Sequence, residues 1–95
     1  MHPIKSPINL GIIGPEVANL QEILMHFISN GTITITSDDI INKITEEYTQ
    51  QLFGSATVDA VRQYQSQYAI DPTLPVVDQP TVNSINDKLD DLLDM

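Results

Sequence analysis

The stretch Phe53-Gly54-Ser55-Ala56-Thr57-Val58-Asp59-Ala60-Val61-Arg62-Gln63-Tyr64-Gln65 decides the fold. A glycine breaks the chain, and a run free of Gly and Pro follows it. Val58, Val61 and Tyr64 recur at three-residue spacing, with Tyr68 one turn further on. That spacing draws a single apolar stripe down an amphipathic helix. Ser55 stands where an N-cap belongs. Asp71-Pro72 supplies the stop, because the residue before a proline avoids the helical region.

Downstream, the same unit occurs a second time. Leu52-Phe53-Gly54-Ser55-Ala56-Thr57-Val58-Asp59-Ala60-Val61 lies over Val76-Val77-Asp78-Gln79-Pro80-Thr81-Val82-Asn83-Ser84-Ile85, with Thr and Val identical at two positions. Gln79-Pro80 therefore opens a last helix, with Val82, Ile85, Leu89 and Leu92 facing inward. Thr73 to Val77 reads as a proline-punctuated connector. Asp90, Asp91 and Asp94 crowd the negative end of that helix, where each mismatch costs about 0.3–1 kcal/mol.

Upstream the unit is looser. Gly14-Pro15-Glu16 is a helix start, with proline at the first helical position and an acid at the positive end of the dipole. Val17, Leu20, Leu24, Phe27 and Ile28 form its stripe, and Asn30-Gly31 ends it. One such unit cannot bury its own stripe; units stacked together can.

Two segments lie outside the repeat. Thr32-Ile33-Thr34-Ile35-Thr36 alternates and predicts a short strand or an extended connector. Ser37-Asp38-Asp39 then offers a cap and first-turn acids for another helix, whose inner side would be Ile40, Ile41, Ile44 and Tyr48. Residues 1–7 read as an N-terminal arm, and Ile8, Leu10, Ile12 and Ile13 as apolar residues laid onto the body. The expectation is all-α: a compact three-helix bundle over residues 8–95, one domain, with an extra short helix in the insertion 37–51.

Charge narrows the partners. Four basic residues face thirteen acidic ones, for a formal net charge of -9. Lys5, Lys43, Arg62 and Lys88 are scattered, whereas nucleic acids and anionic membranes demand clustered cations. Apolar runs such as Ile23-Leu24-Met25 are far below the roughly 20 residues that span a bilayer. The opening residues lack the apolar core of a signal peptide, so localisation is left open. An apolar share of 41% suffices for a folded core.

Catalytic chemistry has little to work with. There is no cysteine, and the two histidines are His2 in the arm and His26 beside the first stripe. Neither sits in a nucleophile–base pattern, and no metal-ligand spacing occurs. The chain is expected to be neither an enzyme nor a metal or cofactor protein. Gln21 and Gln65 follow stripe residues; an amide both donates and accepts, which suits sugar and peptide ligands, and equally suits backbone at a helix–loop contact. Tyr64 belongs to the core stripe, which leaves Tyr48 and Tyr68 as partly exposed rings. Arg62, the single arginine, can fork onto a carboxylate or pair with Asp59.

Leu10-Gly11, Gly14 through Leu24 (with Val17, Leu20 and Gln21), Phe53 through Gln65, and Val76 through Ile85 resemble the peptidoglycan-binding domain family, a small helical module attached to bacterial cell-wall hydrolases. Two features differ from the family pattern. Leu74-Pro75 and Asp78 stand where glycines are usual, and the stretch Asn30 to Gln51 is longer. The resemblance implies a three-helix bundle and a non-catalytic module that holds a larger protein on peptidoglycan or muropeptides in the cell envelope. It places ligand contacts near Gln21, Arg62, Tyr68 and Asn83. The same fold also serves as a structural or protein-docking domain in a large exported or toxin-like assembly, and that is the alternative reading.

Overall fold

The computed structural model describes residues 2–35, 37–70 and 76–93. Among them are four helices and two very short strands: β1 (Ile8–Asn9), α1 (Pro15–Ser29), α2 (Asp38–Gln50), α3 (Ser55–Gln67), β2 (Val76–Val77) and α4 (Gln79–Leu93). The chain is thus mostly helical. Its radius of gyration is 11.9 Å, close to the roughly 12 Å of a folded chain of this length.

The apolar stripes meet in one core. Val17, Leu20, Ile23, Leu24 and Phe27 of α1 join Val58, Val61 and Tyr64 of α3, Ile44 of α2, and Val82, Ile85 and Leu89 of α4. Phe27 and Tyr64 stack with ring centroids 6.1 Å apart. Full burial of side chains of this size stabilises by about 1.5–3 kcal/mol each. α2 packs on both α1 and α3. Only Ile44 of its expected inner side is fully buried; Ile40, Ile41 and Tyr48 are partly covered.

Two points differ from the sequence reading. First, the segments before α1, α3 and α4 are zipped together. β1 pairs antiparallel with β2, Ile8 opposite Val77 and Asn9 opposite Val76. Ile13 forms a bridge with Leu52, supported by Gly11 N donating to Phe53 O and Phe53 N donating to Ile12 O, both at 3.0 Å. The end of the predicted connector is therefore a strand, too short for periodicity to reveal. Second, Ile8 is buried, but Leu10, Ile12 and Ile13 stand in solvent, Ile13 at 69%. The turn that joins β1 to the bridge lifts them off the body. Of the two readings of the Thr32 to Thr36 stretch, the connector is the one that holds over Thr32 to Ile35, where no strand forms; Ile33 is its buried anchor. Thr36, Asp71-Pro72, Thr73 to Pro75 and Asp94 lie outside the described residues.

Helix starts follow local chemistry with one exception. Ser37 caps α2, its hydroxyl accepting from Ile40 N at 3.5 Å. α1 begins after Gly14 with Pro15 in its first turn. α3 begins after Gly54, and Ser55 does not cap it. Glu47, reaching across from α2, accepts from Ala56 N at 3.0 Å and Thr57 N at 2.9 Å.

Candidate functional site

Side-chain amides hold the non-helical segments of this protein. Gln21 Nε2 donates to Leu52 O at 2.8 Å and to Thr57 Oγ1 at 3.0 Å. Gln65 Nε2 donates to Val76 O at 3.0 Å and to Thr81 Oγ1 at 3.1 Å. Leu52 matches Val76, and Thr57 matches Thr81, in the internal repeat. Each glutamine thus reads the start of the next repeated helix. Each threonine hydroxyl then donates to an acid, Thr57 to Glu47 at 2.6 Å and Thr81 to Asp78. Gln21 is 0% exposed, so its amide works inside the core. Its Oε1 is buried and finds no hydrogen-bond partner.

The remaining proposed contact residues lie elsewhere. Tyr68 caps the end of α3, partly buried; its hydroxyl donates to Thr32 O, and Lys88 Nζ stands 4.0 Å above its ring. Asn83 is exposed on α4 and accepts from Gln79 Nε2 at 2.9 Å. Arg62 is exposed in the middle of α3. Among the described residues, no hydrogen bond or ring contact links any two of Gln21, Arg62, Tyr68 and Asn83.

Arg62 alone of the four lines a groove. This cleft, of about 510 Å³, runs between α3 and the connector that enters α2. Asp59, Arg62, Gln63 and Ser66 form the α3 wall; Thr34, Ile35, Ser37 and Ile40 form the other. Gln67 fixes the second wall at both polarities: Oε1 accepts from Thr34 N at 3.0 Å, and Nε2 donates to Thr32 O at 2.8 Å. The groove therefore has a pinned rim, two aliphatic residues, two hydroxyls on one side and a cation between polar neighbours on the other. Among the described residues Arg62 and Asp59 form no ion pair, although three residues apart on a helix is a pairing distance. Among the described residues nothing takes its guanidinium donors, which face the groove side of α3 as an exposed cation. Sequence reasoning singled out Arg62, with Asp59 as a pairing acid, but did not join them to the facing wall; a groove built from residues 34–40 and 59–66 has no signature in either stretch alone.

Two phenols titrate abnormally. Burial pushes the Tyr64 hydroxyl up to about 12, against a hydrogen bond with Ser84 Oγ at 2.7 Å that lowers it. Tyr48 is raised because its hydroxyl donates to the Glu22 carboxylate at 2.6 Å. Neither phenol is among the residues lining the groove. Among the described residues no cluster of His, Asp and Glu converges as a metal site would require. Among the described residues no helix is long and apolar enough to cross a membrane.

No protein-family model, curated protein or solved structure matches the chain. The reading of its function therefore rests on the groove and on the sequence resemblance.

Proposed function

We propose that this chain is a non-catalytic binding module for cell-wall polymer, with peptidoglycan or muropeptide held in the groove beside α3. The observation that carries the reading is Arg62: an exposed arginine with no ion pair among the described residues, in a cleft of about 510 Å³. A guanidinium forks onto carboxylates in two parallel hydrogen bonds, and the peptide stems of the wall polymer supply carboxylates. Gln63, Ser66 and Thr34 give neutral donors and acceptors suited to sugar hydroxyls and peptide groups. In this reading Gln21 acts from the core by fixing the start of α3, Tyr68 acts by fixing the connector, and Asn83 offers a contact on α4.

The fold reading goes with it. α1, α3 and α4 correspond to the three helices of the peptidoglycan-binding family, and α2 is the additional helix of the long insertion. The Phe53 to Gln65 segment carries the resemblance. A net charge of -9 opposes long-range attraction to an anionic wall. Screening limits that repulsion to about 8 Å at physiological salt. Binding is thus expected to depend on short-range contacts and to persist as salt rises.

A second reading is a structural or protein-docking domain in a larger assembly. It is favoured by Leu10, Ile12 and Ile13, large apolar residues left exposed between β1 and α1.

Co-sedimentation with purified sacculi separates the two, with the Arg62→Gln variant in parallel. Saturable pelleting of the unmodified chain, reduced in the variant, supports wall binding in the groove. No pelleting, together with no NMR shifts around Arg62 at millimolar muropeptide, sinks that reading and leaves the docking domain.

A further inference from the structure

Residues 2–4 are bound to the body as a peptide ligand is bound to a receptor. Asn19 of α1 holds both polar groups of His2: Oδ1 accepts from His2 N at 2.9 Å, and Nδ2 donates to His2 O at 2.8 Å. Asn86 of α4 does the same for Ile4: Oδ1 accepts from Ile4 N at 2.8 Å, and Nδ2 donates to Ile4 O at 2.9 Å. Two asparagines from different helices thus read alternate residues of an extended segment. This is the hydrogen-bond set a neighbouring strand would supply, delivered by side chains. Between them Pro3 points outward, and its missing N–H costs nothing there. Ile4 enters the core and is 3% exposed.

The attachment ends there. Lys5, Ser6 and Pro7 are all exposed, and none makes a hydrogen bond in the described structure before β1 begins. The segment is therefore held at two residues and joined to β1 through three exposed ones. Affinity from main-chain hydrogen bonds, with specificity from alternate side chains, is the general logic of extended-peptide recognition.

We propose that the cleft between Asn19 and Asn86 is an extended-peptide site, filled in cis by residues 2–4. It takes in trans a peptide with an aliphatic side chain at one position, any residue including proline before it, and a free main chain before that. Glu16, whose carboxylate lies 3.6 Å from the His2 imidazole, adds a preference for a basic or imidazole side chain at the first position. The site is separate from the groove beside α3 and stands whether or not that groove binds wall polymer. A short tether holds the cis segment at an effective concentration on the order of millimolar, so the site opens to other peptides when the arm is weakened.

The test uses the 95-residue chain carrying Ile4→Asp, which disfavours seating of the arm. The probe is a synthetic peptide of residues 1–6, and the reporters are the side-chain amide NMR signals of Asn19 and Asn86. Saturable shifts of both signals are expected, with binding at least about tenfold weaker to the unmodified chain, where the cis arm competes. The same peptide with Asp at the Ile4 position is expected to leave both signals unmoved. No saturable shift at millimolar peptide, with the Phe27–Tyr64 ring contacts intact, overturns the proposal and makes the arm a fixed strap. Should Ile4→Asp unfold the chain, hydrogen exchange of the unmodified protein decides. The Ile4 amide is expected to exchange by local opening, independent of denaturant. Exchange only through global unfolding, at the rate of the Val61 amide, overturns it.

Discussion

The carboxylate of Glu47 occupies the space that a side chain on Gly54 would need. A Cβ at position 54 would lie 2.7 Å from Glu47 Cδ and 2.8 Å from Oε2. Gly54 has φ -101°, so backbone strain does not call for glycine here; proximity does. The glycine lets an acid from α2 sit directly on the free N–H groups at the start of α3. That one contact replaces the missing Ser55 cap and ties α2 to α3.

Gly54→Ala and Glu47→Ala are therefore expected to damage the same feature. Glu47 accepts two backbone N–H groups and the Thr57 hydroxyl. Charge-assisted bonds of this kind are worth about 1.5–3 kcal/mol. Each single variant should lower stability by about 1–3 kcal/mol. The double variant should cost less than the sum of the two, since Gly54→Ala has no cap left to displace. Urea unfolding of the four chains of the cycle measures this, and additive losses would refute the shared origin.

The twin glutamine relays give a second prediction. Thr57 and Thr81 occupy matching positions, each accepting from a buried glutamine and donating to an acid. Replacing either by valine keeps the shape and strands a buried amide donor. Thr57→Val and Thr81→Val should each cost about 1–3 kcal/mol, while the serine variants keep most of that. Urea midpoints without a change in slope are the expected signature. Unaltered midpoints in both valine variants would mean that the relays are not stabilising.

These features mark how far the sequence could be read. The starts of α1 and α4 were legible because Pro15 and Pro80 carry their own local rule. The internal match of Thr57-Val58 with Thr81-Val82 was also legible, and the structure gives its reason: the same glutamine contact is made twice. The cap from Glu47 was not, since nothing in the spacing of α2 distinguishes a reaching glutamate from a solvated one. β2 was hidden for a different reason: two residues carry no period. The groove around Arg62 exists only through the approach of residues 34–40 to α3, which no single stretch encodes.

Alkaline pH should loosen the core through Tyr64. Its hydroxyl is pushed up to about 12 by burial, so the folded state holds the proton more tightly than the unfolded chain, which releases it near 10. Between those values the native state binds more protons than the unfolded one, and stability falls as pH rises. The contribution is complete below about pH 10 and is gone above about pH 12. Tyr48 acts in the same direction, because its ionisation would set a phenolate against the Glu22 carboxylate. Tyr64→Phe should flatten the alkaline limb of a thermal-stability profile, at the cost of the bond to Ser84. An unchanged limb in that variant would place the alkaline sensitivity elsewhere.

Arg62 should separate binding from folding. Its side chain is exposed and makes no bond within the described protein, so Arg62→Gln is expected to shift stability by no more than about 0.5 kcal/mol. A charge-assisted fork onto a ligand carboxylate is worth about 1.5–3 kcal/mol, and its loss should weaken sacculus binding by about tenfold to a hundredfold. Arg62→Lys keeps the charge but not the fork, and should recover only part of that affinity. Removing the acid beside it gives the converse. Asp59→Asn reduces the negative field at the groove, so binding should hold or tighten. Pelleting isotherms for the three variants, read beside their urea midpoints, make the comparison. If Arg62→Gln pelleted like the unmodified chain at equal stability, the groove would not be where the polymer is held.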